Sequence, residues 1–381
     1  MRKVKSRIKT NHKKTDTLLL AAILILLIFG IVMVYDASVV YAHDLFGGKY
    51  YFLILQSLWV LLALIGFGFM YSTDYHLLLK YSTPLFVLSL LFLGFVLLPT
   101  IFTPIIYGAR RWIYLNPQPL PTIPLIGRLG FQPSELFKLS FVVYFSFLLS
   151  KKEKFSPIAF LVLILLVLGL IMLQPDLGTA LIIGFVAMVI YFVSGANILY
   201  FFSGIPFFVG SLLLLILTSP YRKERLLTYL GGNTGDSQGA SYHINQILIA
   251  LGSGGLFGLG FGQSRQKYQY IPEVVTDSIF AVIGEELGFL GLTLLVLLFL
   301  VIIVRGFRIA KLAPDKVGKL IATGITSWFA IQTFVNLAGM VHLIPLTGVP
   351  LPLISYGGSS LVFGLMGLGM LLNVGKQCQK I

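Results

Sequence analysis

The sequence predicts an all-α protein that crosses a membrane about ten times, and three observations support this fold class. Of the 381 residues, 57% are hydrophobic and only 11% are charged, whereas soluble proteins are about 45–50% apolar and about 25% charged. The apolar residues gather into runs of about 20, the length with which a helix spans a bilayer. The basic residues fall mainly on one predicted side of those runs.

The apolar runs follow one another along the whole chain, each with few charged residues. They cover 17–35, 52–71, 82–102, 133–150, 157–173, 178–194, 198–218, 279–304, 320–341 and 358–374. Two connections are long, 103–132 and 219–278, and both lie on the same predicted side. We therefore interpret 17–374 as a single transmembrane domain between a basic tail, 1–16, and a short tail, 375–381.

An even number of spans places both termini on one side of the membrane, and the charges identify that side. Because basic residues are retained on the cytoplasmic side, the distribution of Lys and Arg predicts that both termini are cytoplasmic. The net charge of +14 is thereby explained by membrane orientation, and no nucleic-acid partner is predicted. Eighteen of the 28 basic residues lie in 1–16, 151–154 and 305–319 or are Lys80, Lys376 and Lys380.

Two further features exclude other classes of protein. Cys378 is the only cysteine, so no intramolecular disulfide can form. The glycine-rich stretch 252–262 lacks the preceding strand of a dinucleotide-binding unit. No nucleotide cofactor is predicted, and these glycines favour tight turns or a re-entrant segment.

Basic residues also occur on the predicted outer side, against the general bias. Single ones are explained as readily by solvated loop charges. Arg110 and Arg111, and Arg265 and Lys267, nevertheless lie in loops rich in glycine, proline and aromatic residues, which indicates ordered backbone. Ordered cations at an outer membrane surface suit an anionic head group, above all a phosphate.

Charged residues within membrane helices are expensive, so they are candidates for function. Glu135 and Lys138 are three residues apart near the outer end of the fourth span, and this spacing places them on one helix face. They either form a structural ion pair or line a polar cavity that opens outward. Glu285 and Glu286 lie deeper in the eighth span, where a structural role is favoured.

Asp277 precedes the eighth span at its predicted outer end. Its carboxylate could cap that helix, or it could act as a general base or a metal ligand at a polar–apolar boundary. Asp176 is expected to cap the sixth span, and Gln332 and Asn336 to form hydrogen bonds between helices. Topology places Asp277, Glu135 and Lys138 on one side at one depth, but no distance follows from it.

Seven motifs in this order, together with the spans around them, resemble the SEDS family (shape, elongation, division and sporulation proteins, typified by FtsW and RodA). The motifs are Gly-Ala-Arg-Arg-Trp-Ile at 108–113, Gln-Pro-Ser-Glu at 132–135, Gln-Pro-Asp-Leu-Gly-Thr at 174–179, Ala-Leu-Gly-Ser-Gly-Gly at 250–255, Ile-Pro-Glu with Thr-Asp at 271–277, Ile-Gly-Glu-Glu at 283–286 and Gly-Val-Pro-Leu-Pro-Leu-Ile-Ser-Tyr-Gly-Gly-Ser-Ser at 348–360.

Within the family, the chain most resembles the division branch, FtsW. The glycine of 283–286, the double arginine at 110–111 and the run 345–348 favour that branch over the elongation branch, RodA. Two residues depart from the family pattern. Ser278 stands where phenylalanine is usual, and His243 where glutamine is usual after tyrosine.

The resemblance implies a peptidoglycan glycosyltransferase. Such enzymes polymerise lipid II, a disaccharide-pentapeptide on undecaprenyl pyrophosphate, at the outer face of the cytoplasmic membrane. They work beside a class B penicillin-binding protein and, in the division branch, with other divisome membrane proteins at the septum. In the family, the aspartate that matches Asp277 is catalytic, and the residues that match Glu135 and Lys138 lie in the same central cavity.

This reaction gives the outer charges a function. The acceptor hydroxyl loses a proton as it attacks the anomeric carbon, and Asp277 is the candidate base. The pyrophosphate leaving group needs cations, for which Arg110, Arg111 and Lys267 are candidates, with or without a divalent ion (Mg²⁺ or Mn²⁺) bound by Asp277. Ser264 and Ser355 complete the predicted substrate-binding residues.

Two other functions compete with this interpretation. A flippase that moves lipid II outward would also have many helices and buried charges, but it needs polar access from both faces. A non-catalytic scaffold that recruits a synthase would tolerate charge-neutral changes at Asp277 and Arg110.

Overall fold

A computed structural model describes residues 15–106, 108–122, 127–151, 156–195, 210, 229, 240–268 and 270–378. Within these ranges the helices are joined by turns and loops, and one short antiparallel pair of strands is present. The helices are α1 (Thr17–Phe46), α2 (Tyr51–Ser72), α3 (Tyr75–Leu79), α4 (Ser82–Phe95), α5 (Pro133–Lys151), α6 (Pro157–Leu173), α7 (Leu177–Val193), α8 (Ala240–Ser253), α9 (Ile279–Leu312), α10 (Lys316–Met340) and α11 (Gly358–Gln377).

These helices confirm the predicted fold class, a polytopic all-α membrane protein. Five of them, α1, α2, α9, α10 and α11, are long and apolar enough to cross a membrane, and α4, α6 and α7 are shorter apolar helices. Each predicted span coincides with one helix except 198–218, which lies outside the described residues apart from residue 210.

Helix α1 is longer than predicted, because the span predicted at 17–35 stopped just before Asp36. The helix continues to Phe46 and ends in a left-handed Gly47. Asp36 is buried inside the protein, where its Oδ1 accepts a hydrogen bond from Lys267 Nζ at 2.9 Å. A carboxylate that finds a cation can remain within a membrane helix.

Helices α10 and α11 form the centre of the bundle. In each, 78% of the most apolar stretch is buried inside the protein, compared with 22% for α9 and 28% for α2. Helix α11 packs along α2, and α10 packs against α7 and α9. Because α10 is central, its polar residues face neighbouring helices rather than lipid.

Helix α9 is interrupted at Gly288, whose φ of 66° is not helical. The carbonyls of Glu285 and Glu286 accept hydrogen bonds from the amides of Leu259 and Gly260, at 2.9 and 3.0 Å. The amides of residues 289 and 290 donate in return to the carbonyls of residues 255 and 256. The loop after α8 therefore satisfies the backbone groups that the break leaves open, as a membrane interior requires.

This loop approaches α9 so closely that no side chain fits between them. A Cβ on Gly258, whose φ is 81°, would lie 2.0 Å from the carbonyl oxygen of Glu286. The glycine-rich stretch thus makes the predicted turns, and it also makes a close backbone approach to α9 that was not predicted. Helix α8 before it was not predicted, since 219–278 was interpreted as a loop.

The predicted loop 103–132 contains a short hairpin. Strands β1 (Ile113–Tyr114) and β2 (Gly130–Phe131) pair antiparallel, with Ile113 opposite Phe131. The hairpin leads directly into the first turn of α5, at Pro133. It therefore brings Arg111 and Glu135 to the same end of the bundle.

On the opposite, predicted cytoplasmic side, His76 joins two carboxylates. Its Nδ1 lies 2.9 Å from Asp74 Oδ1, and its Nε2 lies 2.9 Å from Asp315 Oδ2. Asp315 also caps α10 and accepts a hydrogen bond from the hydroxyl of Tyr75. This cluster, the inner clasp (Asp74, Tyr75, His76, Asp315), ties α3 to the start of α10.

Candidate active site

A cavity of about 540 Å³ lies at the predicted outer end of the bundle and is called here the main cavity. It lies between the start of α5, the turn before α7 and the segment that follows α10. Three motifs far apart in sequence therefore meet at one site. Its polar lining includes Arg111, Gln132, Glu135, Lys138, Asp176 and Thr347.

Glu135 and Lys138 form an ion pair of 2.8 Å on one face of α5. Each residue is only 3% exposed. Lys138 Nζ also donates to Gln332 Oε1 at 3.0 Å, and it lies 5.1 Å from the centre of the Trp328 ring. The predicted pair on one helix face is confirmed, and it lines the main cavity rather than serving as an isolated structural pair.

Gln332 has a larger role at this site than the sequence analysis predicted. Its Oε1 accepts hydrogen bonds from Lys138 and from Trp328 Nε1, and its Nε2 donates to the carbonyl of Pro350 at 3.0 Å. The predicted hydrogen bonding between helices is confirmed for Gln332, which bonds Lys138 on α5. The same bonds fix the ammonium group of Lys138 at the cavity wall.

Arg111 is held at the cavity wall by main-chain carbonyls. Its Nε donates to Gln174 and its Nη2 to Pro175, in the turn before α7. Asp176 in that turn caps α7, as predicted, with its Oδ1 accepting the amide of Thr179 at 3.0 Å. The guanidinium is thereby oriented by rigid neighbours.

The second arginine of the pair lies elsewhere. The guanidinium of Arg110 donates to the carbonyl of Thr103 within its own loop. Arg110 does not line the main cavity. Of the double arginine, the structure brings only Arg111 to the site.

Asp277 lies beside the main cavity. It is 8% exposed, and its Oδ1 lies 3.2 Å from the hydroxyl of Thr276. Its Oδ2 lies 3.8 Å from the position that a Cβ on Gly348 would occupy, and Gly348 lines the cavity. Asn336 Nδ2 donates to the main-chain carbonyls of Asp277, at 3.0 Å, and of Val349, at 2.8 Å.

The alternative of a helix cap at Asp277 is wrong. The N-cap of α9 is Ser278, and that cap makes no side-chain hydrogen bond to the helix. The Ser278 hydroxyl instead lies 2.8 Å from His243 Nε2 on α8. The two residues that depart from the family pattern are thus direct neighbours next to Asp277, a relationship that two separate sequence positions could not reveal.

Lys267 lies outside the main cavity. Its Nζ donates to Asp36, to Glu286 and to the carbonyl of Gly262, at 2.9, 3.0 and 2.9 Å. Burial alone would lower the pKa of Lys267, but the hydrogen bonds and charges of the two carboxylates outweigh it and raise the pKa. The side chain is therefore a charged anchor between α1, α9 and the loop.

Glu285 and Glu286 have the predicted structural role. Glu286 accepts the amides of Gly262 and Ser264, both at 3.0 Å. Glu285 accepts the Ser264 hydroxyl at 2.5 Å and the amide of Arg265 at 3.0 Å. The two carboxylates hold the loop 262–267 against α9, and Ser264 is part of this anchor.

Ser355 is also engaged within the protein. Its Oγ accepts the amide of Leu351 at 2.9 Å in the turn before α11. Ser355 and Ser264 both lie outside the lining of the main cavity. Their predicted contacts with substrate stay predictions.

The described residues provide little for a metal ion. Among them, no group of three His, Cys, Asp or Glu side chains is arranged to hold one. Asp277 is therefore not part of such a group. We therefore derive no catalytic step through a metal.

Comparisons with known proteins identify the family of the chain. A family model for cell cycle proteins of the FtsW, RodA and SpoVE type matches residues 16–380. The chain belongs to the FtsW/RodA/SpoVE family. Membership in this family, together with the several apolar helices, makes it a multi-pass protein of the inner membrane.

Relatives from two branches match nearly the whole chain. Stage V sporulation protein E of Bacillus subtilis is 41% identical and covers 96% of this chain and 98% of its own length. A probable peptidoglycan glycosyltransferase FtsW of Geobacter sulfurreducens is 38% identical and covers 95% of each chain. The predicted resemblance to the family is confirmed, and a sporulation branch, which the sequence prediction did not consider, is at least as similar.

Solved structures share the fold. A structure of a peptidoglycan synthase complex, described as coordinating polymerization and crosslinking, has a TM-score of 0.74 at 29% identity and covers 96% of this chain and 99% of that chain. The rod-shape-determining protein RodA of Thermus thermophilus has a TM-score of 0.69 at 29% identity, with 96% and 98% covered.

Proposed function

We propose that this protein is a peptidoglycan glycosyltransferase that polymerises lipid II at the outer face of the inner membrane. Relatives named as probable enzymes of this kind support the activity. The observation that carries the proposal is the placement of Asp277 beside a cavity that contains two buried or half-buried cations, Arg111 and Lys138. A base and a cationic leaving-group site are the two requirements of the reaction.

The chemical step follows from this arrangement. The acceptor hydroxyl oxygen bonds to the anomeric carbon of the donor, and Asp277 takes the hydroxyl proton. The bond between the anomeric carbon and the phosphate oxygen breaks, and its electron pair leaves with the pyrophosphate. A single displacement of this kind inverts the anomeric configuration.

The charge that develops on the pyrophosphate is balanced by Arg111 and Lys138. Both are held in place before substrate arrives, Arg111 by two carbonyls and Lys138 by Glu135 and Gln332. Fixed donors in a site of low dielectric stabilise developing charge more strongly than donors in water. Arg110 and Lys267 are not assigned to this role, because both are engaged elsewhere.

The biological setting forms the finer part of the proposal. The structural similarity to a peptidoglycan synthase complex supports a class B penicillin-binding protein as partner. The similarity to FtsW proteins supports a division septum with other divisome membrane proteins as partners, while that to stage V sporulation protein E supports a sporulation septum. An elongation role is supported only by the RodA structures.

The decisive experiment uses purified protein with its partner and lipid II in detergent. Without a bilayer there is nothing to flip, so glycan polymer formed there requires glycosyl transfer. We expect polymer with the wild type and a loss of about 10²–10⁴-fold with Asp277→Asn. A folded wild-type protein that forms no polymer while it transports lipid II across vesicles would replace the proposal by the flippase.

A further inference from the structure

A second cavity, of about 330 Å³, lies on the other side of the segment that ends at Asp277. One of its walls is the segment 271–276, and the opposite wall comes from α1 and α2. We call it the side cavity. The residues that matter for its chemistry are Tyr41, Phe52, Lys267, Glu273, Thr276 and Tyr356.

The side cavity has an aromatic wall. The rings of Phe52 and Tyr356 are perpendicular with centres 5.0 Å apart, and the ring of Tyr41 lies 5.9 Å from that of Phe52. Burial raises the pKa of Tyr356 to about 12, so its hydroxyl stays protonated at neutral pH. Aromatic faces beside a few polar groups suit a ligand that has both apolar and hydroxyl-bearing surfaces, as a sugar ring has.

The polar group of the side cavity is a carboxylate. Glu273 is exposed there, and its Oε2 accepts the Thr276 hydroxyl at 2.9 Å. Its backbone has a φ of 50°, a conformation that is strained for a residue other than glycine. A carboxylate accepts hydrogen bonds from sugar hydroxyls.

The two cavities differ in charge. The main cavity is lined by two cations and by two carboxylates, one of them Asp176. Lys138 is paired there with Glu135, but the guanidinium of Arg111 is held only by neutral carbonyls. The cation of the side cavity, Lys267, is already neutralised by two carboxylates. The guanidinium of Arg111 therefore suits a pyrophosphate in the main cavity, whereas the side cavity suits an uncharged sugar.

Asp277 lies in the partition between the two. Its Oδ1 is near Thr276, which lines the side cavity, and its Oδ2 is near Gly348, which lines the main cavity. The base takes a proton from the acceptor at the moment when the acceptor attacks the donor. It must therefore lie close to both substrate-binding sites. Asp277 lines neither cavity itself, but it is next to Thr276 in the lining of the side cavity and to Gly348 in the lining of the main cavity.

We propose that the side cavity binds the acceptor sugar, while the main cavity binds the donor through its pyrophosphate. This assignment rests on the proposed function. The acceptor hydroxyl then approaches Asp277 from the Thr276 side, and its oxygen bonds to the anomeric carbon at the edge of the main cavity. The proton goes to Asp277, and the bond electrons leave with the pyrophosphate.

The test separates the two substrates. The donor is lipid II whose attacking hydroxyl is blocked as a methyl ether, and the acceptor is the lipid-free disaccharide-pentapeptide with a methyl group on its anomeric oxygen. We expect Tyr41→Leu and Glu273→Gln each to raise the KM for the acceptor about tenfold and to change the KM for the donor less than about twofold. Tyr41→Phe keeps the aromatic ring, so we expect it to raise the KM for the acceptor less than Tyr41→Leu does.

The matched control is Tyr81→Leu, because Tyr81 is 68% exposed and lines neither cavity. It is expected to change neither KM. The assignment is overturned if the side-cavity variants raise the KM for the donor and leave that for the acceptor unchanged.

A second measurement uses the wild-type protein and so does not depend on the folding of variants. The acceptor carries a photoreactive diazirine, and the labelled peptides are identified by mass spectrometry. Label within 41–52 or 271–276 supports the assignment, and label confined to 132–138 or 345–350 contradicts it. A wild-type protein that transfers no sugar between the two analogues or between lipid II molecules refutes the proposed function instead, which distinguishes the two failures.

Discussion

Two lysine–glutamate pairs are buried in the part of the chain that the structure describes, and their surroundings differ. The pair of Lys267 and Glu286 lies under the loop 262–267, where amides and the lysine occupy both oxygens of Glu286. The pair of Lys138 and Glu135 lines the main cavity, and Glu135 Oε2 accepts no hydrogen bond from the described residues. The same two residue types serve as an anchor in one place and as part of an open site in the other.

The difference shows what to look for when a buried charge is assigned a role. Glu285 and Glu286, which have a structural role, accept hydrogen bonds mainly from backbone amides of the loop 262–267. A carboxylate at a candidate site keeps acceptor capacity and borders empty volume, as Glu135 does. Residue type and membrane depth do not separate the two cases.

Replacing each lysine by methionine tests this contrast and has the largest expected effect. Lys267→Met leaves Asp36 and Glu286 without their cation, so we expect unfolding in detergent to become easier by about 3–5 kcal/mol. Lys138→Met leaves Glu135 beside a cavity that can admit water, so the loss of stability is expected to be smaller. Its polymerisation rate should instead fall by about 10²–10³-fold, as for the loss of one charge-stabilising donor.

The measurements are thermal unfolding and initial rates of lipid II polymerisation, made well below the lower melting temperature. Equal losses of stability in both variants, with equal rates, would remove the distinction between anchor and site.

The hydrogen bond between His243 and Ser278, at the edge of the site, provides a second test. Because their hydrogen bond fixes the residue next to Asp277, we expect His243→Ala and Ser278→Ala each to lower kcat about fivefold, which corresponds to one hydrogen bond. The kcat of the double variant should be no lower than that of either single variant, because both changes remove the same hydrogen bond. His243→Gln, which keeps a donor at similar reach, should recover most of the rate. Additive losses in the double variant would show that the two side chains act independently.

The smallest effect is expected from a change in the inner clasp, where the charge of His76 contributes to stability. Burial alone would lower the pKa of His76, but hydrogen bonds and charges from Asp74 and Asp315 outweigh it and raise the pKa. A raised pKa in the folded state stabilises the protein below the pH at which the unfolded imidazole titrates, about 6.5. That contribution is lost as the pH rises through the folded-state pKa.

The measurement compares the melting temperatures of the wild type and His76→Gln between pH 6 and pH 9. We expect a small difference at pH 6, because His76 is half-exposed, and its disappearance by about pH 9. A difference that stays constant with pH would show that the imidazole acts without its charge.

Much of the site could be predicted because its residues are linked by local spacing. The separation of three residues placed Glu135 and Lys138 on one face, and this was correct. Lys267 could not be placed, because its partners lie on α1 and α9, about 230 and 19 residues away along the chain. Asp36 was misjudged for the same reason, since a carboxylate in an apolar run is tolerated only with a partner that spacing does not show.

Gly288 has a consequence for how the protein can move. The four backbone hydrogen bonds across the break fuse the loop after α8 to both halves of α9. The outer half begins next to Asp277, and the loop carries Lys267, which lines the side cavity. We therefore expect a tilt of the inner half of α9 to carry the loop and Lys267 with it instead of bending the helix at Gly288, which would change the width of the side cavity.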